Sequence, residues 1–213
     1  MLTESVFKTN PDLQKRLHSQ VKTAARADRS HVVDVIMLAF STDPVARWAY
    51  PNPQQYMEYF PNFIRIFGGK AFEANSAYYV DEFSAAALWL PPDVGPDEEA
   101  LTALFKNTVS CKIQDELFYV FEEMGNYHPK DRHWYLPMIG ADPVQQGKGY
   151  GSTLLKHALD VCDADKMPAY LESSNPKNIP LYERFGFELM GTIQVGSSPP
   201  LFPMLRESRA AIS

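Results

Sequence analysis

The sequence predicts a single α/β or α+β domain built on a mixed β-sheet, and three observations favour that class. Strand-like and helix-like segments follow in the order strand, helices, strand pair, helices, strand, helix, strand, helix and two strands. The length of 213 residues suits one domain. Hydrophobic residues make up 45% and charged residues 22%, so the chain can bury a core and is neither disordered nor collagen-like.

The chain opens with a polar stretch, residues 1–18, that lacks sustained periodicity. We expect this stretch to be an N-terminal arm or a short docking helix, so that the folded domain spans residues 19–213. The first strand is predicted from Val21 to Ala25.

Two helices are predicted next. Asp28 and Ser30 offer N-caps to the apolar run of residues 32–40. A second helix is expected within residues 54–67, and the pair Gly68-Gly69 ends it.

A strand pair follows in the middle of the chain. Residues 77–80 and 84–90 are rich in apolar and aromatic side chains, join near Asp81-Glu82 and end at Pro91-Pro92. Residues 96–131 then predict one or two helices. This acidic stretch carries −5 of the chain's net charge of −6. Its acidic side chains either form a solvated helix face or lie beside the mouth of a site that attracts a cation.

The second half alternates strands and helices more regularly. Strands are predicted at residues 134–139, 169–172, 187–194 and 201–205, and a short helix from about Asn178 stops at Gly186. An amphipathic helix begins after a glycine loop, and its apolar stripe consists of Leu154, Leu155, Ala158, Leu159, Val161 and Cys162.

Composition excludes several classes of function. A net charge of −6 and a pI near 5.4 argue against a basic face for nucleic acid or an anionic membrane. Neither a bilayer-spanning stretch nor a signal peptide is apparent, and two cysteines do not make a disulfide scaffold. We therefore expect a cytoplasmic protein with reduced thiols. No metal is expected, since His128 and His133 lack a further ligand at metal-binding spacing.

The most informative segment is the glycine loop of residues 145–152, between a predicted strand and a predicted helix. Its three alternating glycines, Gly147, Gly149 and Gly151, let successive backbone N–H groups converge on an anion. The helix that starts there adds unpaired N–H groups and its positive dipole end. The loop therefore predicts a site for a diphosphate.

Two other phosphate-binding patterns compete for this loop. A Walker loop fails, because Asp142 stands where its first glycine is required and Gly149 follows the lysine. A dinucleotide fold gains support from Glu172, about 20 residues downstream, where a ribose-binding acid would lie. Ser152 in place of the third glycine and the short remaining chain count against it.

The third pattern is that of coenzyme A, and here the sequence resembles the GNAT N-acetyltransferases. The segment Gln146-Gly-Lys-Gly-Tyr-Gly151 resembles their pyrophosphate loop, Gln/Arg-x-x-Gly-x-Gly/Ala. The family's downstream motif is matched, at its spacing, by Asn175, Tyr182, Gly186 and Phe187. The resemblance implies a mixed, mostly antiparallel twisted sheet flanked by helices, with acetyl-CoA as co-substrate.

A closer resemblance, over most of residues 20–206, is to the branch that contains puromycin N-acetyltransferase. It is carried by Trp134-Tyr, Asp142-Pro143, Gln146-Gly-Lys-Gly, Leu171-Glu172, Pro176-Lys-Asn178 and Pro180-Leu-Tyr182-Glu-Arg. That branch implies a small-molecule primary amine as the acceptor. We also expect that this chain can pair with a second copy of itself as a homodimer.

The chemistry needs a group that protonates the departing thiolate and a group that deprotonates the amine. By resemblance Tyr182 is the general acid. Glu172 at the end of its strand is the candidate general base, with His133 and Tyr135 as substitutes. The amine attacks the thioester directly in a ternary complex, so no acyl-enzyme is needed.

The resemblance also implies a donor site. The backbone of residues 139–141, at the end of a predicted strand, would bind the pantetheine amides. The N–H groups of residues 147–152 would bind the pyrophosphate, and Asn175 and Asn178 would contact coenzyme A. The implied residues are Ile139, Gly140, Ala141, Gln146, Gly147, Lys148, Gly149, Tyr150, Gly151, Ser152, Asn175 and Asn178. Asn178 replaces a residue that is usually small, and capping of the following helix is its alternative role.

Two other functions remain open at this point. One is a coenzyme A-binding sensory protein that kept the donor site without turnover. The other is an acetyltransferase acting on protein N-termini. The aromatic residues Phe118, Tyr119, Phe121 and Tyr127 among the acids of residues 96–131 are expected to be core, with some lining an acceptor pocket for a flat or apolar amine.

Overall fold

Within residues 20–209, the part of the chain that the computed structural model describes, seven β-strands form one mixed sheet. The strands are β1 (Val21–Thr23), β2 (Ala77–Val80), β3 (Ala85–Leu90), β4 (Trp134–Ala141), β5 (Ala169–Ser173), β6 (Glu188–Leu189) and β7 (Phe202–Arg206). Their order is β1-β2-β3-β4-β5-β7-β6, and only the β4–β5 pair is parallel. The predicted arm, residues 1–18, lies outside the described residues.

Eight α-helices in the described residues cover the two faces of this sheet. They are α1 (Arg29–Ala39), α2 (Pro44–Ala49), α3 (Pro53–Phe67), α4 (Lys70–Glu73), α5 (Glu98–Thr108), α6 (Gln114–Tyr127), α7 (Tyr150–Ala164) and α8 (Ile179–Arg184). Helices α1 to α6 pack on one face in one hydrophobic cluster, and α7 and α8 pack on the other face in a second cluster. The predicted α/β class with a mixed sheet is confirmed.

Prolines begin two of the helices on the first face. Pro44 starts α2 and Pro53 starts α3, where the missing N–H of proline has no intrahelical partner in any case. The side chains of Asp43 and Asn52 cap these helices by accepting backbone N–H bonds. Helix α2 is not among the predicted helices, because the prolines of this region suggest only interruptions.

Two local predictions were wrong. Asp28 stands at the N-cap position of α1, but its side chain accepts a bond from Ala25 N at 2.9 Å rather than from the helix. The strand predicted over residues 187–194 is reduced to β6, with an isolated bridge from Ile193 to Leu201 farther along, and between these two pairings lies Gly191. A Cβ there would lie 2.4 Å from the hydroxyl oxygen of Tyr127, so the backbone passes directly against that side chain.

The parallel pair β4–β5 opens into a wedge. The two strands pair only at Trp134 with Ala169 and at Tyr135 with Tyr170. Beyond that point β4 stays paired with β3 as far as Ala141, while β5 pairs with β7. One edge of β4, over residues 136–141, therefore has no strand partner within residues 20–209 and faces the wedge.

An ion pair joins α7 to β7 at the far end of the sheet. Both terminal nitrogens of Arg206, whose side chain is 4% exposed, donate to the Asp163 carboxylate at 2.8 and 2.7 Å. These bonds lower the pKa of Asp163 below its usual value. The pair therefore stabilises the fold above the unfolded-state pKa of about 3.9 and loses its effect as the pH falls through the lower folded-state pKa.

Asp163→Asn is expected to lower the free energy of unfolding by about 2 kcal/mol at neutral pH, because it leaves the buried Arg206 without its counter-charge. The effect falls below that of a fully buried pair, since the Asp163 side chain is 24% exposed. Denaturant unfolding at about pH 7 and pH 3 measures it, and the difference from wild type should shrink at the lower pH. Asp160→Asn, in the exposed pair with Lys156, is the matched control. Equal effects of the two variants would contradict the prediction.

Candidate active site

A cavity of 480 Å³ fills the wedge between β4 and β5, a volume typical of small-molecule sites. Its walls come from the free edge of β4, the end of β5, α8 and the helices α1, α2, α3, α5 and α6. Nine of the residues predicted for the site line it: Ile139, Gly140, Ala141, Gln146, Gly151, Glu172, Asn175, Asn178 and Tyr182.

The glycine loop lies at one end of this cavity, before the N-terminus of α7. Gly147 and Gly149 adopt φ angles of +77° and +88°, which L-residues with side chains rarely adopt. A Cβ at either position would meet no atom within 4 Å, so both stretches of backbone are open to a ligand. The first N–H groups of α7 have no intrahelical partners, which favours an anion at this end of the helix.

Two side chains of this loop make hydrogen bonds within the protein. Tyr150 is buried, and its hydroxyl donates to the Asp81 carboxylate in the turn between β2 and β3. Lys148 is exposed, and its Nζ donates to Gln145 Oε1 at 2.5 Å. The backbone N–H groups of the loop therefore remain as the groups that fit a diphosphate.

The two asparagines at the other end of the cavity have different surroundings. Asn175 caps the 3-10 turn Pro176–Asn178, since its side chain accepts from Lys177 N at 3.1 Å. Asn178 occupies the N-cap position of α8, but its side chain makes no capping hydrogen bond, so the alternative role of helix cap is wrong. Both residues line the cavity.

Together these features fit coenzyme A. The free edge of β4 over residues 136–141 presents backbone donors and acceptors to an extended, amide-containing ligand, as another strand would. The open glycines Gly147 and Gly149 fit a diphosphate at the N-terminus of α7.

Gly149→Ala is expected to raise the dissociation constant for coenzyme A about tenfold. A residue with a side chain at the left-handed φ of Gly149 is strained by about 1–2 kcal/mol, so the loop changes its conformation to relieve this strain. Calorimetric titration measures this change. Gly95→Ala is the matched control, because a Cβ at Gly95 also meets nothing within 4 Å but Gly95 has no left-handed φ and lies outside the cavity. Unchanged affinity in Gly149→Ala would argue against the loop as the binding site.

Glu172 is the buried carboxylate of the cavity, with its side chain 3% exposed. Tyr135 donates a hydrogen bond to its Oε2 at 2.8 Å, while its Oε1 is buried without a hydrogen-bond partner in the described residues. The nearest histidine nitrogen, His128 Nδ1, lies 4.0 Å from Oε1. Burial, and then the Glu172 charge, raise the pKa of both Tyr135 and Tyr170, so these neighbours stay protonated. Glu172 therefore offers one free acceptor atom to a ligand.

Tyr182 lies on α8, on the other face of the sheet, with 6% of its surface exposed. Its ring packs edge-on against Phe187, with centroids 6.0 Å apart. Burial raises the pKa of Tyr182 and the nearby Asp43 charge adds to this, so the hydroxyl remains a proton donor throughout the neutral range.

Asp43 is a cavity residue that the sequence analysis missed. Its Oδ1 accepts from Val45 N and Ala46 N, while its Oδ2 accepts from Ser174 Oγ at 2.5 Å. Burial raises the pKa of Asp43, although these hydrogen bonds oppose the shift. The Asp-Pro pair at the start of α2 was a visible capping signal, but its closeness to Ser174 and Tyr182 depends on the tertiary fold.

Aromatic side chains form the wall of the cavity on the Glu172 side. They are Tyr50, Phe60, Phe63, Phe67, Phe105, Phe121 and Tyr135. Three of them recur along α3 at spacings of three and four residues, the spacing of one helix face. Of the aromatics named within residues 96–131, Phe121 lines the cavity and Tyr119 is exposed. The acids at positions 98, 99, 115, 122 and 123 lie on the solvent side of α5 and α6.

Other chemical groups in the described residues do not form a second site. No group of three or more His, Cys, Asp or Glu side chains within residues 20–209 has the arrangement of a metal site. Cys111 is exposed and Cys162 is buried, both as free thiols, and burial raises the pKa of Cys162 to about 12. No helix in this part of the chain is both long and apolar enough to cross a membrane.

The sequence of the site region matches a known family. The model of the Acetyltransferase (GNAT) family matches residues 108–187. A relative from Schizosaccharomyces pombe, described as the uncharacterized N-acetyltransferase C550.08, is 40% identical over 80 residues. That match covers 36% of this chain and 32% of the relative, so the chain matches about a third of the relative's length.

Solved structures share the fold over nearly the whole chain. One, described as histone acetyltransferase HPA2 and related acetyltransferase from Corynebacterium glutamicum, has a TM-score of 0.65, 24% identity, and coverage of 92% of this chain and 99% of its own. Arylalkylamine N-acetyltransferase 2 from Aedes aegypti has a TM-score of 0.60, 12% identity, and coverage of 90% and 100%. The fold is that of the GNAT acetyltransferases. Residues 20–209 thus have the GNAT fold, and residues 108–187 are similar in sequence to the GNAT family model.

Proposed function

We propose that this protein transfers an acetyl group from acetyl-CoA to a primary amine of a small molecule. One observation carries the proposal: a single cavity joins a buried carboxylate with a free oxygen, Glu172, to a buried phenol, Tyr182. The open glycine loop lies next to it, as the binding of a diphosphate requires.

The reaction needs a neutral amine, and Glu172 supplies the base. Alkylamines have a pKa of about 10, so an acceptor arrives mostly as an ammonium ion at neutral pH. Glu172 Oε1 attracts this ion and accepts one of its protons, while Tyr135 holds Oε2 in place. The aromatic wall excludes water around the pair, which strengthens the attraction.

Tyr182 acts on the other side of the reacting centre. Bound acetyl-CoA supplies a thioester carbonyl; the amine nitrogen bonds to its carbon, the C–S bond breaks, and the sulfur leaves with a negative charge. The nitrogen then loses its extra proton to solvent, and the free thiolate takes up a proton from solvent in exchange. Tyr182 donates its O–H to that sulfur. Because the pKa of Tyr182 is raised above that of a thiol, about 8.5, the hydrogen bond rather than complete proton transfer provides most of the stabilisation.

The aromatic wall favours an acceptor with a flat or apolar body. Phenylalanine and tyrosine rings on α3, α5 and α6 would pack against such a body, while Glu172 binds the amine. The named activity of the Aedes aegypti structure, arylalkylamine N-acetylation, supports this class of acceptor. The resemblance of residues 134–184 to the puromycin N-acetyltransferase branch also supports a small amine.

An assay of thiol release from acetyl-CoA tests the proposal. The acceptors are 2-phenylethylamine, puromycin, spermidine and short peptides with free N-termini. We expect turnover with the aromatic amines, and mass spectrometry should show one added acetyl group on the amine. Turnover with peptides alone would favour a protein N-terminal acetyltransferase. Binding of acetyl-CoA without turnover of any acceptor would favour a sensory protein.

A further inference from the structure

Two histidines lie between the Glu172 carboxylate and the protein surface. His128 follows the end of α6, and its Nδ1 lies 4.0 Å from Glu172 Oε1. The opposite ring nitrogen, His128 Nε2, lies 2.9 Å from His133 Nε2. His133 Nδ1 in turn lies 2.7 Å from the backbone oxygen of Asp131, an exposed residue. A continuous series of side chains thus leads from Glu172 through His128 and His133 to the protein surface.

Hydrogen-bond chemistry assigns the protons in this series. The oxygen of Asp131 only accepts, so His133 Nδ1 carries a hydrogen. In the neutral ring, His133 Nε2 is then an acceptor, and His128 Nε2 must be the donor across the 2.9 Å contact. The remaining nitrogen of a neutral His128, Nδ1, is therefore an unprotonated base that faces Glu172 Oε1.

We infer that His128 and His133 form a proton path that returns Glu172 to its basic form after each amine deprotonation. This inference rests on the proposed function. The proton that Glu172 Oε1 takes from the ammonium passes to His128 Nδ1, once the 4.0 Å gap closes by about 1 Å to hydrogen-bond length. His128 then passes its Nε2 proton to His133 Nε2, and His133 releases its Nδ1 proton to solvent. Proton exchange with water returns both rings to their starting tautomers before the next turnover. The charge moves outward, and no other reactant is needed.

The surroundings of the two rings suit this transfer. Tyr135 and Tyr170 pack edge-on against His128 at centroid distances of 4.9 and 4.8 Å, and Tyr170 also packs edge-on against His133. Burial lowers the pKa of His133, which leaves it neutral and able to accept a proton, although its hydrogen bond to the Asp131 carbonyl and the negative charge of Glu172 oppose this shift. His133 is half-buried and follows the exposed residues Asp131 and Arg132, so the outer end of the path lies at the surface.

The test is His128→Gln, which keeps a polar side chain but cannot take up a proton. With acetyl-CoA and 2-phenylethylamine, kcat is expected to fall about tenfold at about pH 7 and to return to within about twofold of wild type by about pH 10. The reason is that the amine arrives already neutral at high pH, so the path is no longer needed. Added imidazole should restore part of the neutral-pH rate. His157→Gln, a histidine on α7 that lies against Tyr78 outside the cavity, is the matched control and should keep the wild-type pH profile.

A loss in His128→Gln that is equal at every pH would overturn the path, since a structural role does not depend on the protonation of the amine. So would a wild-type pH profile in the variant. Nitrogen NMR of the wild-type rings gives a second test that needs neither the variant nor turnover. It should find the hydrogen on Nε2 of His128 and on Nδ1 of His133, and the opposite pattern would also overturn the path. Failure of wild type to acetylate any amine would instead refute the proposed function.

Discussion

Replacing Tyr182 by phenylalanine is expected to lower kcat about 10²-fold, the contribution of a well-placed proton donor. The substitution removes only the hydroxyl, and the ring keeps its packing against Phe187. The lost hydrogen bond stabilises the leaving sulfur only in the transition state. The affinity of the protein for coenzyme A should therefore stay unchanged. Thiol release measures kcat, and calorimetric titration measures the affinity. Because the pKa of Tyr182 is raised, the wild-type rate should show no loss from phenol ionisation up to about pH 10.

Tyr78→Phe is the matched control for this experiment. Tyr78 belongs to the same hydrophobic cluster and is equally buried, with 6% of its surface exposed, but it does not line the cavity. The control should retain wild-type kcat. If Tyr182→Phe and Tyr78→Phe acetylate 2-phenylethylamine at the same rate, Tyr182 is a packing residue and the assignment of the acid is wrong.

Replacing Glu172 by glutamine is expected to have the larger effect, a fall in kcat of about 10³-fold at neutral pH. Glutamine has the same shape and can still accept the hydrogen bond from Tyr135, but it neither attracts the ammonium ion nor accepts its proton. The apparent KM for the amine should rise for the same reason. As the pH approaches about 10 the amine becomes neutral, so the difference from wild type in kcat should narrow. The pH profile of kcat and KM measures both changes.

The stability of this variant gives independent information. Glu172 Oε1 is buried without a hydrogen-bond partner in the described residues, and a buried carboxylate is costly to desolvate. Glu172→Gln should therefore unfold at the same denaturant concentration as wild type or at a higher one, as is common when a functional residue is replaced. Glu122→Gln, on the exposed side of α6, is the control and should change neither rate nor stability. A loss of less than about threefold in kcat for Glu172→Gln would exclude it as the base.

The element order and the donor loop could be predicted from the sequence, because the signals that specify them are local. The alternating glycines Gly147 and Gly149 have the left-handed φ angles that an anion-binding turn needs, directly before a helix, as predicted. Strands β2 and β3 follow from their apolar and aromatic content between turn residues and prolines, and the apolar stripe of α7 follows from helical periodicity. In contrast, β6 is shorter than predicted, and the backbone just beyond it, at Gly191, lies against the side chain of Tyr127, which is distant in the sequence.

The acceptor side of the cavity depended on the tertiary structure alone. The opening of β4 from β5 follows from which strands pair, and that pairing brings together residues far apart in the sequence. Asp43 contacts Ser174 across 131 positions, and Tyr135 reaches Glu172 across 37. The chain by itself thus predicted a site for a diphosphate and a candidate acid and base. Only folding decided what surrounds Glu172, because burial, hydrogen-bond partners and neighbouring rings arise from contacts that local sequence does not encode.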